Sequence, residues 1–289
     1  MKEINWFPGH MAKSRRELLG SLKRADLILE VCDARLPKSS RHPDLDKISE
    51  GKPVWTILGK SDLADPVCTD KWLCSAEAEN KIWLALNLFS DRELNQLRKR
   101  LRDYNEKFLV AARAKGQRIS PLRLIIVGIP NTGKSTLINR LIGKKSTQTS
   151  NRPGVTRSLR WVRGGTDYEI LDTPGILPPR LNNKESKLNL AAAGAIPDDI
   201  LPLDEVAFAL FKKLLLDYPA LMEQRFAVTN GGQEEWELFQ MAACKRNCLA
   251  SGGKADLPRF INLLLREFRT GKIGRISLEC PPFVMDITE

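Results

Sequence analysis

Short apolar runs alternate with amphipathic stretches along the first part of the chain. Their lengths and β-branched content are typical of buried strands. The runs occupy residues 27–32, 53–58, 81–86 and 122–127. Between the last two runs, Leu94, Leu97 and Leu101 recur with helical spacing. Strands that alternate with helices predict an α/β fold built on a doubly wound sheet.

A hairpin pattern follows the fourth apolar run. Residues 160–163 and 168–171 flank a Gly-Gly pair, which predicts two antiparallel strands. The polar stretches 36–43 and 107–120 are interpreted as a turn-rich loop and a basic linker. The segment 144–157 has no apolar periodicity, and we expect it to be a mobile segment over bound phosphates.

The pattern changes after the Pro-Pro pair at 178–179. From Leu203 onward apolar residues recur with helical spacing, and strand patterns are lacking. We therefore predict a sheet domain at residues 1–178, a linker at 179–202 and a small all-helical domain at 203–289.

Composition narrows the class of protein. The chain has 289 residues with 42% hydrophobic content, enough for a full core. No apolar run approaches the roughly 20 residues of a membrane span, and the start has no apolar signal core, so we expect a cytoplasmic protein, or a processed organellar form, without membrane contact. The 6 cysteines form no C-x-x-C pair and no His/Cys cluster. We expect reduced thiols rather than a zinc site or a disulfide framework.

The charge is strongly positive and unevenly distributed. The formal net charge is +11, and residues 107–166 hold 13 Lys or Arg and no Asp or Glu. A stretch of one sign on this scale predicts a polyanionic partner, and one nucleotide accounts for only part of it. A nucleic-acid backbone would account for the remaining positive charge.

The sequence G-I-P-N-T-G-K-S-T at 128–136 matches a phosphate-binding loop (P-loop), placed between a strand pattern and a helix pattern. Successive backbone N–H groups and the positive end of the following helix bind phosphate oxygens in such loops. Lys134 would reach the β and γ phosphates, and the Ser135 hydroxyl would ligate Mg²⁺. The other predicted nucleotide contacts in the loop are Asn131, Thr132, Gly133 and Thr136.

A second phosphate motif, D-T-P-G, follows the hairpin at residues 172–175. In a GTPase the aspartate of this motif positions Mg²⁺, and the glycine N–H meets the γ-phosphate. Asp172 and Gly175 would take these roles. Thr156, in the preceding polar segment, is the natural further Mg²⁺ ligand.

A guanine-recognition motif of the form Asn/Thr-Lys-x-Asp is missing after residue 175, but G-K-S-D lies upstream at 59–62, directly after the second apolar run. Asp62 could accept both the N1 and N2 hydrogens of guanine, with Lys60 beside it, whereas adenine presents other edges. The base-binding half thus precedes the phosphate-binding half. A common site still forms if the strand order is permuted, because ligand contacts depend on strand ends and not on chain order.

Further motifs accompany these along nearly the whole chain: W-F-P-G-H-M, D-A-R-x-P-x-S-S-R, K-x-D, G-I-P-N-x-G-K-S-T-L-I-N-R-L, R-P-G-x-T, D-T-P-G-I-L and a late G-K-I-G-R. Together they resemble the YlqF/RbgA family of circularly permuted GTPases that assist large ribosomal subunit assembly. The resemblance implies a Ras-like P-loop GTPase domain followed by an RNA-contacting helical domain. It also implies GTP hydrolysis and, as partners, the large-subunit precursor and its rRNA. We expect a monomer away from the ribosome.

The resemblance also assigns individual roles. Ile176 follows the D-x-x-G motif where many GTPases have Gln, and the family's N-terminal histidine, His10 here, is the implied substitute that orients or deprotonates water. Asn131 matches the position that helps related GTPases hold K⁺ beside the phosphates. Ala85 and Asn87, at the end of the third strand, are the candidates for the segment that approaches guanine O6.

Gly59 departs from the family, which has Asn at this position. The lost side chain would have met guanine N7 and braced the P-loop, a loss on the order of 1 kcal/mol. Two alternatives therefore stay open: an RNA-binding scaffold with little or no hydrolysis, and an ATPase with relaxed base choice. The intact residues that favour hydrolysis are Lys134, Ser135, Thr156 and Asp172.

Overall fold

The computed structural model describes residues 20–43, 45–114, 116, 121–143, 160–164, 168–172 and 183–281. Among these residues, one 6-stranded sheet has the order β3-β2-β1-β4-β6-β5. The strands are β1 Leu27–Asp33, β2 Val54–Gly59, β3 Ile82–Leu86, β4 Leu122–Val127, β5 Arg160–Gly164 and β6 Tyr168–Asp172. All neighbouring strands pair in parallel except β5 and β6. The carboxyl ends of β1, β2, β3, β4 and β6 therefore meet at one edge of the sheet.

The helices of the described residues follow in chain order. They are α1 Pro37–Ser40, α2 Leu45–Ile48, α3 Pro66–Ala78, α4 Asp91–Ala114, α5 Lys134–Ile142, α6 Lys184–Ala192, α7 Leu203–Asp217, α8 Pro219–Phe226, α9 Glu235–Lys245 and α10 Leu257–Arg269. No described helix combines the length and apolar character needed to cross a bilayer.

The sheet is covered on both faces, as a doubly wound fold requires. On one face Leu94, Leu97 and Leu101 of α4 pack with Leu137 of α5 against strand residues such as Ile57. A second cluster covers part of the opposite face, where the contacting residues are Leu22, Ala25, Ile28, Leu45, Ile125, Val127 and Leu171. The predicted α/β sheet and the predicted hairpin are both confirmed.

The later helices form their own apolar cluster. Phe211, Phe239 and Phe260 lie at its centre, with edge-on ring contacts between Phe239 and each of the other two. Leu36, which follows β1, and Ile129 of the P-loop belong to the same cluster. These helices, α6 to α10 (residues 184–269), are called the helical layer. The layer is therefore packed directly onto the edge of the sheet where the parallel strands end.

Three segments differ from the sequence-based prediction. The predicted linker 107–120 continues helix α4 as far as Ala114, and the predicted loop 36–43 contains α1, which lies largely buried. The predicted linker 179–202 contains α6, whose residues 189–192 are all buried. Because α6 is buried on several sides, it has no single apolar face, and so the periodicity that identifies a surface helix is missing.

The expectation of six reduced thiols is wrong for one pair. Cys68 in α3 and Cys280 near the end of the chain form a disulfide with their Cα atoms 5.1 Å apart. Cys32 and Cys248 are buried thiols, and Cys74 and Cys244 are exposed ones. The pair is separated by 212 residues in sequence, so no local spacing pattern could have indicated it.

Candidate nucleotide-binding site

The P-loop, residues 128–135, begins directly after β4 and leads into α5. A Cβ at Gly128 would lie 2.6 Å from the Val31 carbonyl oxygen, so only glycine fits where the loop passes β1. Gly133 has φ +100 and is the N-cap residue of α5. The two glycines of the motif are thus required by a close approach and by a left-handed turn.

The side chains of the P-loop are held by contacts on both sides. Lys134 is only 5% exposed and is the first residue of α5. The Thr132 hydroxyl donates to the Ile129 carbonyl at 3.0 Å, within the loop. Asn131 has φ 61, and its side-chain amide donates to the Gly194 carbonyl of the helical layer at 2.5 Å. The N–H groups of the first turn of α5 and its dipole favour an anion at this place.

Residues 59–65 form the turn that is predicted to recognise the base (the base-recognition turn), which follows β2 and lies beside the P-loop. A Cβ built on Gly59 would be 3.0 Å from the Thr132 carbonyl oxygen. Asp62 is exposed, and the Leu63 N–H donates to the Lys60 carbonyl at 2.9 Å. Asp65 ends the turn and caps α3, since its carboxylate accepts from the Val67 N–H at 2.8 Å. The two predicted halves of the site therefore share one edge of the sheet, although the chain reaches the base-binding half first.

The end of β3 lies on the other side of this turn. The Ser61 N–H donates to the Leu86 carbonyl at 3.4 Å, which joins the turn to the strand end. Ala85 is half-buried and pairs with Leu58 across the strands. The Asn87 side-chain oxygen accepts from the Phe89 N–H at 2.9 Å, which fixes the start of the next loop. Ala85 and Asn87, the candidates for the segment that approaches the base, thus lie near the turn.

Lys60 is held by a charged cluster behind the turn. Its Nζ lies 2.9 Å from Asp33 Oδ2, and Arg35 donates to both oxygens of the same carboxylate at 2.9 and 2.8 Å. Burial alone would raise the pKa of Asp33, but the charges of Arg35 and Lys60 outweigh it and hold this pKa well below the ordinary 3.8. Burial, aided by the nearby Arg35 charge, lowers the pKa of Lys60.

Arg35 links this cluster to the helical layer. Its Nη1 donates to the Phe268 carbonyl at 3.1 Å, and its guanidinium lies 4.8 Å from the centre of the Phe268 ring. Arg35 is 1% exposed, so the Asp33 carboxylate is its essential counter-charge. The D-A-R motif at residues 33–35 is one of the motifs of the family resemblance, and the sequence alone assigns it no role. The local sequence signal for this ion pair is the presence of two opposite charges, Asp33 and Arg35, at the end of a buried strand.

Several predicted site residues lie outside the described residues, namely His10, Thr156 and Gly175. Asp172 ends β6, where its backbone pairs with Ile126 of the P-loop strand, and its side chain is not described. Over the described part of the chain, no group of three or more His, Cys, Asp or Glu could hold a metal. The predicted Mg²⁺ ligands are of another kind, two hydroxyls and one carboxylate.

Arg275 also lies beside the site, although it is not among the predicted site residues. Arg275 donates from Nε to the Ala64 carbonyl at 2.9 Å and from Nη2 to the Ser61 carbonyl at 3.0 Å. Both carbonyls belong to the base-recognition turn. Arg275 lies within the G-K-I-G-R run that contributed to the family resemblance, but it is more than 200 residues from its partners, and nothing local indicates the contact.

Comparison with known proteins agrees with this geometry. The family model described as "50S ribosome-binding GTPase" matches residues 123–205. Ribosome biogenesis GTPase A of Bacillus pumilus is 40% identical over 96% of this chain and 99% of its own length. Two solved structures of YlqF cover at least 92% of this chain. The GDP-bound form has a TM-score of 0.66 at 27% identity, with 99% of its own chain covered. The GNP-bound form from Thermotoga maritima has a TM-score of 0.65 at 26% sequence identity, with 100% of its own chain covered.

Identity at this level over almost the entire length is far beyond what a shared P-loop alone produces, since it includes the helical layer as well as the sheet. The permuted order of base-binding and phosphate-binding segments is consistent with the same relatives. The chain therefore belongs to the ribosome biogenesis GTPase A family, the circularly permuted GTPases also called YlqF or RbgA.

Proposed function

We propose that this GTPase binds the immature large ribosomal subunit through rRNA and couples GTP hydrolysis to maturation of the particle and its own release. The observation that carries the proposal is the 3.0 Å approach between the Gly59 Cβ position and the Thr132 carbonyl. It brings the turn that carries Asp62, the proposed guanine-binding residue, against the proposed triphosphate cradle. The alternative of a scaffold without hydrolysis is not favoured by membership of a GTPase family.

The proposed nucleotide contacts follow from this arrangement. Asp62 accepts from guanine N1 and N2, while Lys60 supports the turn through Asp33. The α and β phosphates meet the N–H groups of Gly133, Lys134, Ser135 and Thr136 at the start of α5. Gly175 meets the γ-phosphate, and Ala85 and Asn87 border the base.

The cradle fits a magnesium–nucleotide complex, because the N-terminal end of α5 and the charge of Lys134 both favour phosphate oxygens. Ser135, Thr156 and Asp172 are the proposed Mg²⁺ ligands, and Asn131 is the proposed K⁺ ligand. When bound, Mg²⁺ neutralises charge that develops on the phosphates. Lys134 stabilises the same charge from the protein side, and we assign His10 the orientation or deprotonation of the attacking water.

Exposed basic side chains support an RNA partner. Arg92, Lys99, Arg100 and Arg102 are exposed on α4. On the helical layer the exposed basic residues include Lys245, Lys254, Arg259, Arg266 and Lys272. Arg246 and Arg269, in contrast, are half-buried and already pair with Glu267 and Asp198, and so the RNA contacts are proposed for the exposed set. We place the protein, as a monomer, in the cytoplasm with the ribosome precursors.

The test is the GTPase rate with and without purified large subunits or their precursors. Partner-triggered GTPases accelerate roughly 10³–10⁵-fold, so a slow basal rate and a large stimulation are expected. His10→Ala should keep nucleotide affinity and lose the stimulated rate. Equal rates with and without particles would overturn the coupling. Binding to particles should weaken steeply with salt if phosphate contacts dominate.

A further inference from the structure

The C-terminal segment, residues 270–280, returns from the helical layer to the sheet domain. The Leu278 N–H donates to the Arg35 carbonyl at 2.7 Å, close to the end of β1. Two residues later Cys280 forms its disulfide with Cys68 of α3. The segment is therefore fixed on the sheet domain at both of these places, and it passes over the base-recognition turn on the way.

Three carbonyl groups of the turn, those of Ser61, Leu63 and Ala64, accept hydrogen bonds from this segment. Arg275 donates to the Ser61 and Ala64 carbonyls at 3.0 and 2.9 Å, so its guanidinium bridges the two sides of the tip at residues 62–63. The Ile276 N–H donates to the Leu63 carbonyl at 2.9 Å. These acceptors would otherwise need water, because they belong to neither a strand ladder nor a helix.

The far end of the turn is held in the same way. The Asp65 N–H donates to the Ser277 hydroxyl at 3.1 Å. Tyr218 of the helical layer accepts from the Ser277 N–H at 2.9 Å and has its hydroxyl 3.2 Å from the Asp65 carboxylate. The position of the turn thus depends on the helical layer as well as on β2.

On the side that faces the P-loop, the first residue of the turn is Gly59, which cannot hold the turn in place by a side-chain hydrogen bond. Gly59 has no side chain, and the register of β2 with its neighbours ends at this residue. Asp62 is exposed, so its direction depends on the backbone that carries it. The Arg275 guanidinium, a planar group with several donors, can hold two carbonyls in one geometry.

We propose that Arg275 is a positioning residue for base recognition, which fixes the backbone of residues 61–64 so that Asp62 meets the guanine edge. The proposal rests on the proposed role of Asp62. It makes guanine selectivity a joint property of the sheet domain and the helical layer.

The experiment compares GDP and IDP affinity in the full chain, since IDP lacks the N2 amine that Asp62 binds. The variants are Arg275→Ala, Arg275→Lys and, as a matched control on the same segment, Thr270→Ala, whose exposed side chain donates to carbonyls at the end of α10 and not to the turn. Arg275→Ala should lower GDP affinity about 10-fold, as expected for hydrogen bonds from a charged donor, and IDP affinity distinctly less. Lysine is a point charge that cannot bridge two carbonyls. Arg275→Lys should therefore lower the ratio of GDP affinity to IDP affinity, but by less than Arg275→Ala does. Thr270→Ala should match the wild-type protein in both GDP and IDP affinity.

A merely structural role would lower GDP and IDP affinity by the same factor, and an unchanged GDP/IDP ratio in Arg275→Ala would overturn the proposal. If Arg275→Ala does not fold, the ratio in Arg275→Lys decides, and a wild-type ratio there overturns it. A wild-type protein that binds GDP and IDP equally would instead contradict the proposed role of Asp62. The two failures are therefore distinguishable.

Discussion

At the scale of single residues, a buried charge cluster lies directly behind the proposed base-recognition turn. Asp33 faces both Arg35 and Lys60, and Arg35 reaches the helical layer through Phe268. The cluster holds the end of β1 against the base-recognition turn. Removing one member of a buried ion pair leaves the other charge uncompensated, which is costly.

Asp33→Asn should therefore lower the free energy of unfolding by about 3–5 kcal/mol at neutral pH, because Arg35 loses its counter-charge in a buried position. The measurement is urea unfolding. Asp46→Asn is the matched control, since Asp46 pairs with Arg41 at 3.1 Å while 58% of its side chain is exposed. An exposed pair contributes roughly 0–1 kcal/mol, so equal losses in the two variants would contradict the account.

At the scale of elements, Glu267 of α10 joins three helices of the helical layer. The carboxylate, 3% exposed, accepts from Arg225 of α8 at 2.9 and 2.6 Å and from Arg246, directly after α9, at 2.9 Å. Burial alone would raise the pKa of Glu267, but the hydrogen bonds from Arg225 and the charge of Arg246 lower it below the ordinary 4.5.

A lowered folded-state pKa means that the carboxylate stabilises the fold above the unfolded value and that this contribution is lost as the pH falls through the folded value. Glu267→Gln should cost about 1.5–3 kcal/mol at pH 7, the range for hydrogen bonds to a charged group. The difference from wild type should shrink as the pH falls below 4.5. Unfolding by urea across this range measures it, with the exposed Glu223→Gln on α8 as control. If the difference in free energy of unfolding between the wild-type protein and Glu267→Gln does not change with pH, the ion-pair explanation is wrong.

At the scale of the whole molecule, chain order and spatial order differ. The proposed base-binding segment precedes the P-loop by almost 70 positions, yet β2 and β4 are separated in the sheet only by β1. The C-terminal segment then closes the structure by returning to the sheet domain, where Cys280 pairs with Cys68.

Cys280→Ser should lower the melting temperature, because the disulfide closes a loop of more than 200 residues and so restricts the unfolded chain. A loss of roughly 2–4 kcal/mol is typical. Reductant should lower the melting temperature of the wild-type protein and leave Cys280→Ser unchanged. Cys244→Ser, which removes an exposed thiol, is the control. If reductant leaves the melting temperature of the wild-type protein unchanged, the disulfide is not formed in solution.

The sequence was sufficient for features with local signals. Runs such as 27–32 predicted strands, and the glycines of the P-loop predicted a tight cradle, because both follow from side-chain periodicity or backbone freedom. It failed for α6, buried on several sides, and for Arg275 and Cys280, whose partners lie over 200 residues away. Such contacts depend on how the helical layer packs on the sheet, and no local pattern encodes that packing.

The central claim is that Asp62 binds the base whose phosphates lie in the P-loop. Asp62→Asn tests it directly, because an amide can donate to the O2 of xanthine but repels the N2 amine of guanine. By equilibrium titration, the variant should lose about 100-fold in GDP affinity, from two hydrogen bonds to a charged acceptor, and should gain affinity for XDP. A variant that still prefers GDP to XDP would contradict the account.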